Sequence, residues 1–214
     1  PLAATKKLVI VESPTKRTSI QSYLGDGYEV MSSVGHIRDL ADRRDIPAEL
    51  KKTSIGKYSI DIENEFAPYY VETDRGKKTV AELKRALKNA DELLLATDED
   101  REGEAIAWHL LEALKPKVPV KRMVFHEITK DAIQAAVQNT RELDHALVDA
   151  QETRRILDRL YGWDISPVLW MKVQQGLSAG RVQSAATRLV VDRERERIAF
   201  VSAGYWDIEA QAAP

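Results

Sequence analysis

The chain has 214 residues, 43% of them apolar, enough to bury the core of one domain and part of another. It contains no cysteine, which excludes disulfides and thiolate zinc sites, and no window approaches the roughly 20 apolar residues that a membrane span needs. The formal net charge of −2 does not by itself announce a polyanion partner, yet Ile165 to Val191 holds no acid against Lys172, Arg181 and Arg188, and a local patch can attract what the total does not.

Lys7 to Val11 reads as a buried strand that ends in Glu12-Ser13-Pro14, and Pro14 suits the first turn of a helix running to about Gly25. Tyr28 to Val34 is a second strand, followed by Gly35-His36. Asp39 to Gly56 is charged and irregular, and Tyr58 to Ile62 alternates as a strand. Gly76 to Ala90 has helical spacing in Val80, Leu83 and Leu87. Glu92 to Ala96 is an apolar strand, and Ala105 to Leu111 a helix. A strand from Val120 to Phe125 and a helix from about Thr129 to Gln138 follow. Strands alternating with helices predict an α/β fold, a mainly parallel sheet with helices on both faces. After about Arg141 the texture is helical: Leu143 to Tyr161, Pro167 to Gln174 and Gly180 to Ile198. Tyr205 to Glu209 resumes β character, so the chain reads as a domain over 1–140 and an incomplete helical one over 141–214 that ends in the start of a further β segment. No secretory leader is legible, which with the missing cysteines fits a cytoplasmic protein.

The richest string is T-D-E-D-R-E-G-E, Thr97 to Glu104. Asp98, Asp100 and Glu102 fall at alternate positions in a strand-to-helix turn, at the carboxyl end of a strand, where open α/β sheets place their active sites. An acidic first helical turn is stabilised by the macrodipole, but three alternate acids plus Gly103 exceed what that role needs. Clustered carboxylates suit a hard divalent cation, Mg²⁺ above all. In a parallel sheet the carboxyl ends of strands share one edge, so Glu12 can face this group. Like-charge repulsion there would raise its pKa toward that of a general acid. Lys16, one turn into the helix after Glu12, is placed to meet a phosphate or is an ordinary exposed lysine. His36 follows Gly35 at a strand end.

Along the helix from Leu143 to Tyr161, the residues Arg154, Arg155, Asp158 and Arg159 fall within about 140° of arc at 100° per residue. Ile156, Leu157 and Leu160 lie on the other side. Such a face is either solvated charge or a reader of single-stranded nucleic acid, arginines on phosphates and Asp158 with a neighbouring arginine on a base edge. Trp163 and Trp170 offer stacking surfaces, and Trp170 fits core packing equally well. In Gly176 to Ser184, Ser178 is a good N-cap, the following free N–H groups attract phosphate, and Arg181, Ser184 and Arg188 share a face.

These segments in order resemble one family, the type IA or bacterial DNA topoisomerase I enzymes. V-I-V-E-S-P-T-K (Val9 to Lys16), S-S-V-G-H-I-R-D-L (Ser32 to Leu40), A-T-D-E-D-R-E-G-E-A-I-A-W-H-L (Ala96 to Leu110), F-H-E-I-T (Phe125 to Thr129), R-R-I-L-D-R (Arg154 to Arg159) and L-S-A-G-R-V-Q-S (Leu177 to Ser184) all match. The acidic motif alone is shared with other Toprim-domain proteins such as primases and nucleases; the last two are more specific. The resemblance implies a Toprim domain, Rossmann-like, followed by part of the helical domain that lines the DNA groove. It implies ATP-independent relaxation of negatively supercoiled DNA by transient single-strand cleavage and rejoining, in the bacterial cytoplasm at the nucleoid. It makes Glu12 the general acid or base and Lys16 the stabiliser of the scissile phosphate. It makes Asp98, Asp100 and Glu102, beside Glu12, the Mg²⁺ ligands. His36, Arg154, Arg155, Asp158, Arg159, Trp163, Trp170 and the segment Ser178, Ala179, Gly180, Arg181, Val182, Gln183 would bind the single strand. A monomer is expected, partnered by DNA and by later domains of the same protein, with no membrane. The family's nucleophilic tyrosine sits in a Tyr-x-Arg-Thr-Asp-Ser setting; this chain has seven tyrosines and none there, Tyr70 to Asp74 being only an echo that lacks the arginine. The resemblance therefore marks an N-terminal fragment without a nucleophile, inactive alone in relaxation. Another Toprim-class metal-dependent nuclease or primase, or a non-catalytic DNA-binding module, are the alternatives.

Overall fold

The computed structural model describes residues 6–212 and falls into two units, one up to Arg159 and one from Leu160 onward. The first unit is built on a four-stranded sheet in the order β2-β1-β7-β8: β1 (Lys7–Val11), β2 (Tyr28–Ser32), β7 (Glu92–Leu95) and β8 (Val120–Arg122). All three pairings are parallel, with Leu8 opposite Glu29 and Leu93, and Leu94 opposite Lys121. Parallel strands need crossovers, and these are helical: α1 (Pro14–Leu24), α3 (Asp74–Leu87), α4 (Arg101–Leu114) and, after β8, α5 (Lys130–Gln138).

Alternation along the strands sorts the core into two layers. Leu8, Ile10, Leu93 and Leu95 pack with Val80 and Leu83 of α3 and with Ile106, Leu110 and Leu114 of α4. Val9, Val11, Val30 and Leu94 face the other way, onto Ile20 of α1 and Ile133 and Ala136 of α5. Strands buried on both faces read as continuous apolar runs, which is why K-L-V-I-V and E-L-L-L were recognisable from sequence alone.

The stretch expected to be irregular, Asp39 to Gly56, holds beyond Leu40 only short turns and the start of a helix, and small antiparallel pairs flank it. β3 (Arg38–Leu40) pairs antiparallel with β6 (Tyr70–Glu72), and β4 (Ile60–Asp61) with β5 (Ala67–Pro68). The strand expected over Tyr58 to Ile62 is only β4; its first residue closes the short helix α2 (Ser54–Tyr58), and Ser59 turns left-handed at φ 61°. Two-residue strands carry no periodicity that a sequence can display. Likewise the strand expected to reach Phe125 stops at Arg122.

The helix break expected near Trp163 is absent: α6 runs unbroken from His145 to Lys172, with Pro167 inside it. A proline removes one i→i−4 hydrogen bond, and the surrounding run of helix-forming residues outweighs that loss. The residues of α6 that face into the first unit recur at helical spacing: Val148, Gln151 and Arg159 are buried, Glu152 and Arg155 half-buried, while Leu157 is 53% exposed. The charged arc is thus the inward one, the reverse of what an apolar-in rule gives. In the second unit, α7 (Arg181–Ala199) is capped by Gly180 without a side-chain bond, so Ser178 is not its N-cap. Ser178 instead lies 3.4 Å from Gln183. The expected β segment at Tyr205 to Glu209 has no strand; the described residues after Ala199 are irregular. Among the described residues no helix is long and apolar enough to cross a membrane.

Candidate active site

The carboxyl ends of β1 and β7 lie side by side, and each hands its chain directly to an acidic residue. Ser13 caps α1 through Thr15 N–H, which starts the helix at Pro14 and turns Lys16 back over Glu12. The Lys16 ammonium donates to Glu12 Oε1 at 2.7 Å and also reaches Asp98 Oδ1, so one cation bridges the ends of two strands. Burial, then a hydrogen bond shared with Asp98, raises the Glu12 carboxyl above its ordinary range, against the pull of Lys16. Burial pushes Asp98 the same way but is outweighed by bonds from Glu12 and Lys16, which leave it below its usual range. Two touching carboxyls driven in opposite directions make Glu12 the one that takes up a proton first and Asp98 the one that keeps its charge longer. The sequence reading has Glu12 raised by the whole acidic group; here burial leads and Asp98 is the one acid that contributes.

The acidic turn is tightly built. Asp100 caps α4, its Oδ1 accepting from Gly103 N–H at 2.7 Å, and Thr97 Oγ1 donates to Gly103 O at 2.6 Å. A Cβ on Gly103 would fall 2.1 Å from the Asp98 carbonyl oxygen, so only glycine lets the helix start press on the turn. Asp98, Glu99 and Asp100 line a cleft of about 410 Å³ with Lys16 and with Phe125, His126, Glu127 and Ile128 of the F-H-E-I-T string. His126 also pairs with Glu99 at 3.1 Å.

Glu102 shares a cleft with Asp100 but not the one that Asp98 lines. In the first turn of α4, it meets His36 Nε2 at 3.0 Å and borders that second cleft with Asp100, Gln151, Arg154, Arg155 and Asp158. Among the described residues no three histidine or acidic side chains are grouped as a ready cation cage. Mg²⁺ does not require one: it retains waters and commonly takes one or two protein carboxylates plus a substrate phosphate. Asp98 and Asp100, oxygen donors on one open cleft, fit that habit.

The arginines of α6 have different fates. Arg155 makes a two-pronged contact with Asp39, Nε and Nη2 each at 2.9 Å, and Arg159 is buried with Nη2 3.5 Å from Leu40 O. Arg154 is part-exposed, 3.9 Å from Asp158. In the second unit Trp163 and Trp170 are 44% and 47% exposed, so Trp170 is not core; its indole N–H donates to Leu177 O. Ala179 N–H is taken by Ser166 Oγ at 3.0 Å, and Arg181 and Val182 open α7.

Four functional candidates escaped the sequence reading. His109 lies under His36 and against Tyr70 and Trp108, with Arg38 over the two larger rings. The other three, Glu104, Arg122 and Arg141, form one charge network beneath the acidic turn. A charged residue closing a buried strand, as Arg122 does, was the available signal.

This fold and acidic edge define a class. A family model described as the Toprim domain matches residues 7–128, and the chain belongs to that family. A second, described as DNA topoisomerase, matches residues 142–214. The chain is 65% identical over 203 residues to DNA topoisomerase 1 of Streptomyces coelicolor, covering 95% of this chain and 21% of that protein. Against DNA topoisomerase 1 of Mycolicibacterium smegmatis the figures are 62% over 207 residues, 96% and 22%. The crystal structure of full-length topoisomerase I from Thermotoga maritima superimposes with a TM-score of 0.76 at 45% identity, over 91% of this chain and 31% of that one. Within the Toprim class the chain thus falls with the bacterial, type IA, DNA topoisomerases, and it spans about a fifth of the length of the curated relatives it matches.

Proposed function

We propose that the chain supplies the acid-bearing half of a type IA DNA topoisomerase active site and part of its single-strand groove. In this reading residues 1–140 are the Toprim domain and 141–214 the opening part of the helical domain. The observation that carries it is the Glu12–Lys16–Asp98 contact at the shared edge of two parallel strands. A tyrosine elsewhere in the whole protein attacks a backbone phosphorus; the P–O3′ bond breaks as the P–O(Tyr) bond forms, and the phenol's proton passes to water, to be taken back when the strand is rejoined. The leaving 3′ oxygen takes the proton held on Glu12, and rejoining returns it. Phosphodiester energy is conserved in the phosphotyrosine, so relaxation of negatively supercoiled DNA needs no ATP. Lys16 steadies the charge on the scissile phosphate, and burial beside Asp98 shifts Glu12 toward its protonated form, the one a general acid uses. Asp98 and Asp100 would hold Mg²⁺, with Glu102 joining only if it leaves His36; the cation would neutralise the acids and steady the DNA backbone. His36, Arg154, Arg155, Asp158, Trp163, Trp170 and Ser178 to Gln183 make up the strand-binding set, with the buried Arg159 supporting it from beneath.

The test has two parts. Mn²⁺ titration of the 214-residue chain should show saturable binding that the Asp98→Ala, Asp100→Ala double variant loses. The same chain should bind a single-stranded oligonucleotide and leave supercoiled plasmid unrelaxed. Unchanged metal binding in the double variant overturns the ligand assignment, and relaxation by this chain overturns the division of labour. Hydrolysis of DNA or nucleotide polymerisation by the chain alone would instead select the nuclease or primase reading.

A further inference from the structure

We infer that Arg122 and Glu104 form an internal brace that sets the backbone of the acidic turn and ties it to the start of the arginine-bearing helix, which makes them positioning residues for the reaction proposed above, a reading on which the inference rests. The Arg122 side chain is 1% exposed and that of Glu104 is 0%. Every arm of the Arg122 guanidinium is engaged. Nε donates to Glu104 Oε2 at 3.0 Å, Nη1 to Leu95 O at 2.8 Å and Met123 O at 3.2 Å, and Nη2 to Asp98 O at 2.7 Å. One planar group therefore spans the last residue of β7, the first acid of the turn and the first turn of α4. The Asp98 carbonyl is held between Arg122 and the bare Cα of Gly103, so the direction in which its carboxylate leaves the backbone is fixed.

Glu104 carries the brace onward. Its Oε1 accepts from Arg141 Nη1 and from Asp144 N–H, both at 2.8 Å, and Oε2 also accepts from Arg141 Nη2 at 3.1 Å. Asp144 then receives Ala146 N–H at 2.9 Å and Leu147 N–H at 3.2 Å on its own carboxylate, which caps the first turn of α6. An unbroken chain of bonds runs from Asp98 through Arg122, Glu104 and Asp144 to the helix that bears Arg154 and Arg155.

Stability alone is a poor account of this network. A buried ion pair gains little over a well-packed apolar pair of the same volume, because desolvation offsets the attraction. What an apolar pair lacks is direction: it cannot grip the Asp98 and Leu95 carbonyls while accepting four donors from the α6 side and β8.

The brace separates into an inner and an outer half, and variants of the 214-residue chain test each. Arg122→Lys retains the charge opposite Glu104 but cannot span Leu95 O and Asp98 O. It should weaken Mn²⁺ binding, read by electron paramagnetic resonance, by about 10- to 100-fold, as loss of an outer-shell partner commonly does. The Gly103 amide should at the same time exchange with deuterium faster than in the parent. Arg141→Ala leaves the inner half in place. It should keep Mn²⁺ affinity and Gly103 protection yet weaken binding of a fluorescent single-stranded oligonucleotide by roughly threefold or more. Parental Mn²⁺ affinity and Gly103 exchange in a folded Arg122→Lys overturn the inner half. Should that variant fail to fold, Glu104→Gln takes its place with the same two readouts, and parental values there overturn the inner half; parental oligonucleotide affinity in Arg141→Ala overturns the tie to α6. A parent chain that binds neither Mn²⁺ nor the oligonucleotide defeats the functional reading itself, while Gly103 exchange still reports on the brace as a purely backbone device.

Discussion

His109 shows how far one side chain's chemistry is set by neighbours distant in sequence. It is 2% exposed on α4, and burial, with the Arg38 guanidinium and the His36 ring nearby, pushes its imidazole down to about 3 from an ordinary 6.5. The folded state therefore holds the neutral ring across a range in which the unfolded chain binds a proton. Stability from this residue is fully present above pH 6.5 and is lost as pH falls toward 3, at about 1.4 kcal/mol per pH unit inside that window. Urea unfolding at pH 7.5, 5.5 and 4.5 should show that slope, and His109→Gln should flatten it. An equally steep loss in the variant assigns the acid sensitivity to other groups. Nothing in A-I-A-W-H-L-L marks this histidine as special, since its environment comes from β3 and β6, strands paired across an excursion that holds α2, β4 and β5.

At the level of the element, legibility followed the length of the repeat. The buried strands and the long helices of the first unit declare themselves through continuous or 3.6-residue apolar patterns. The two small antiparallel pairs do not, and the inward face of α6 misleads, because beside Val148 it buries Gln151 and Arg159 while Leu157 stays exposed. The T-D-E-D-R-E-G-E string gave the acids and the glycine, but not that Glu102 turns to His36 while Asp98 turns to Lys16. Alternate residues diverge where a strand end becomes a helix, and spacing alone does not say which side each takes. Gly103 is the sharpest test of the turn itself. Its Cβ position meets backbone, Asp98 O at 2.1 Å and Asp98 N at 2.8 Å, and backbone cannot swing aside. Gly103→Ala should cost at least about 2 kcal/mol by thermal or chemical melting and abolish Mn²⁺ binding. Gly76→Ala in α3, whose Cβ would fall 2.0 Å from Ile37 O, should destabilise comparably and, while folded, retain the metal. Equal metal loss in both would make the effect one of general stability.

At the scale of the whole molecule, a net charge of −2 conceals how the cations are deployed. The sequence treats Arg154, Arg155 and Arg159 as one set, but folding gives them three tasks: Arg159 is buried under Leu40, Arg155 is clamped on Asp39, and Arg154 is part-exposed near Asp158. Counterion release separates these tasks, since only a side chain that neutralises a phosphate contributes to the salt dependence of binding. For a single-stranded oligonucleotide, the log–log slope of affinity against salt should fall in magnitude by about 0.7 in Arg154→Ala, and by a similar step in Arg181→Ala of the second unit. Arg159→Ala should leave the slope near the parent's and lower the melting temperature instead, because its removal strands the packing beneath it rather than a contact to DNA. Arg155→Ala tests the intermediate case. A strand that displaces Asp39 recruits the guanidinium and the slope falls; a strand that does not leaves it unchanged, and Arg155 then serves to hold α6 against β3. Should none of the four variants alter the slope, α6 and α7 carry structural charge only, and whatever grips the strand lies in other residues.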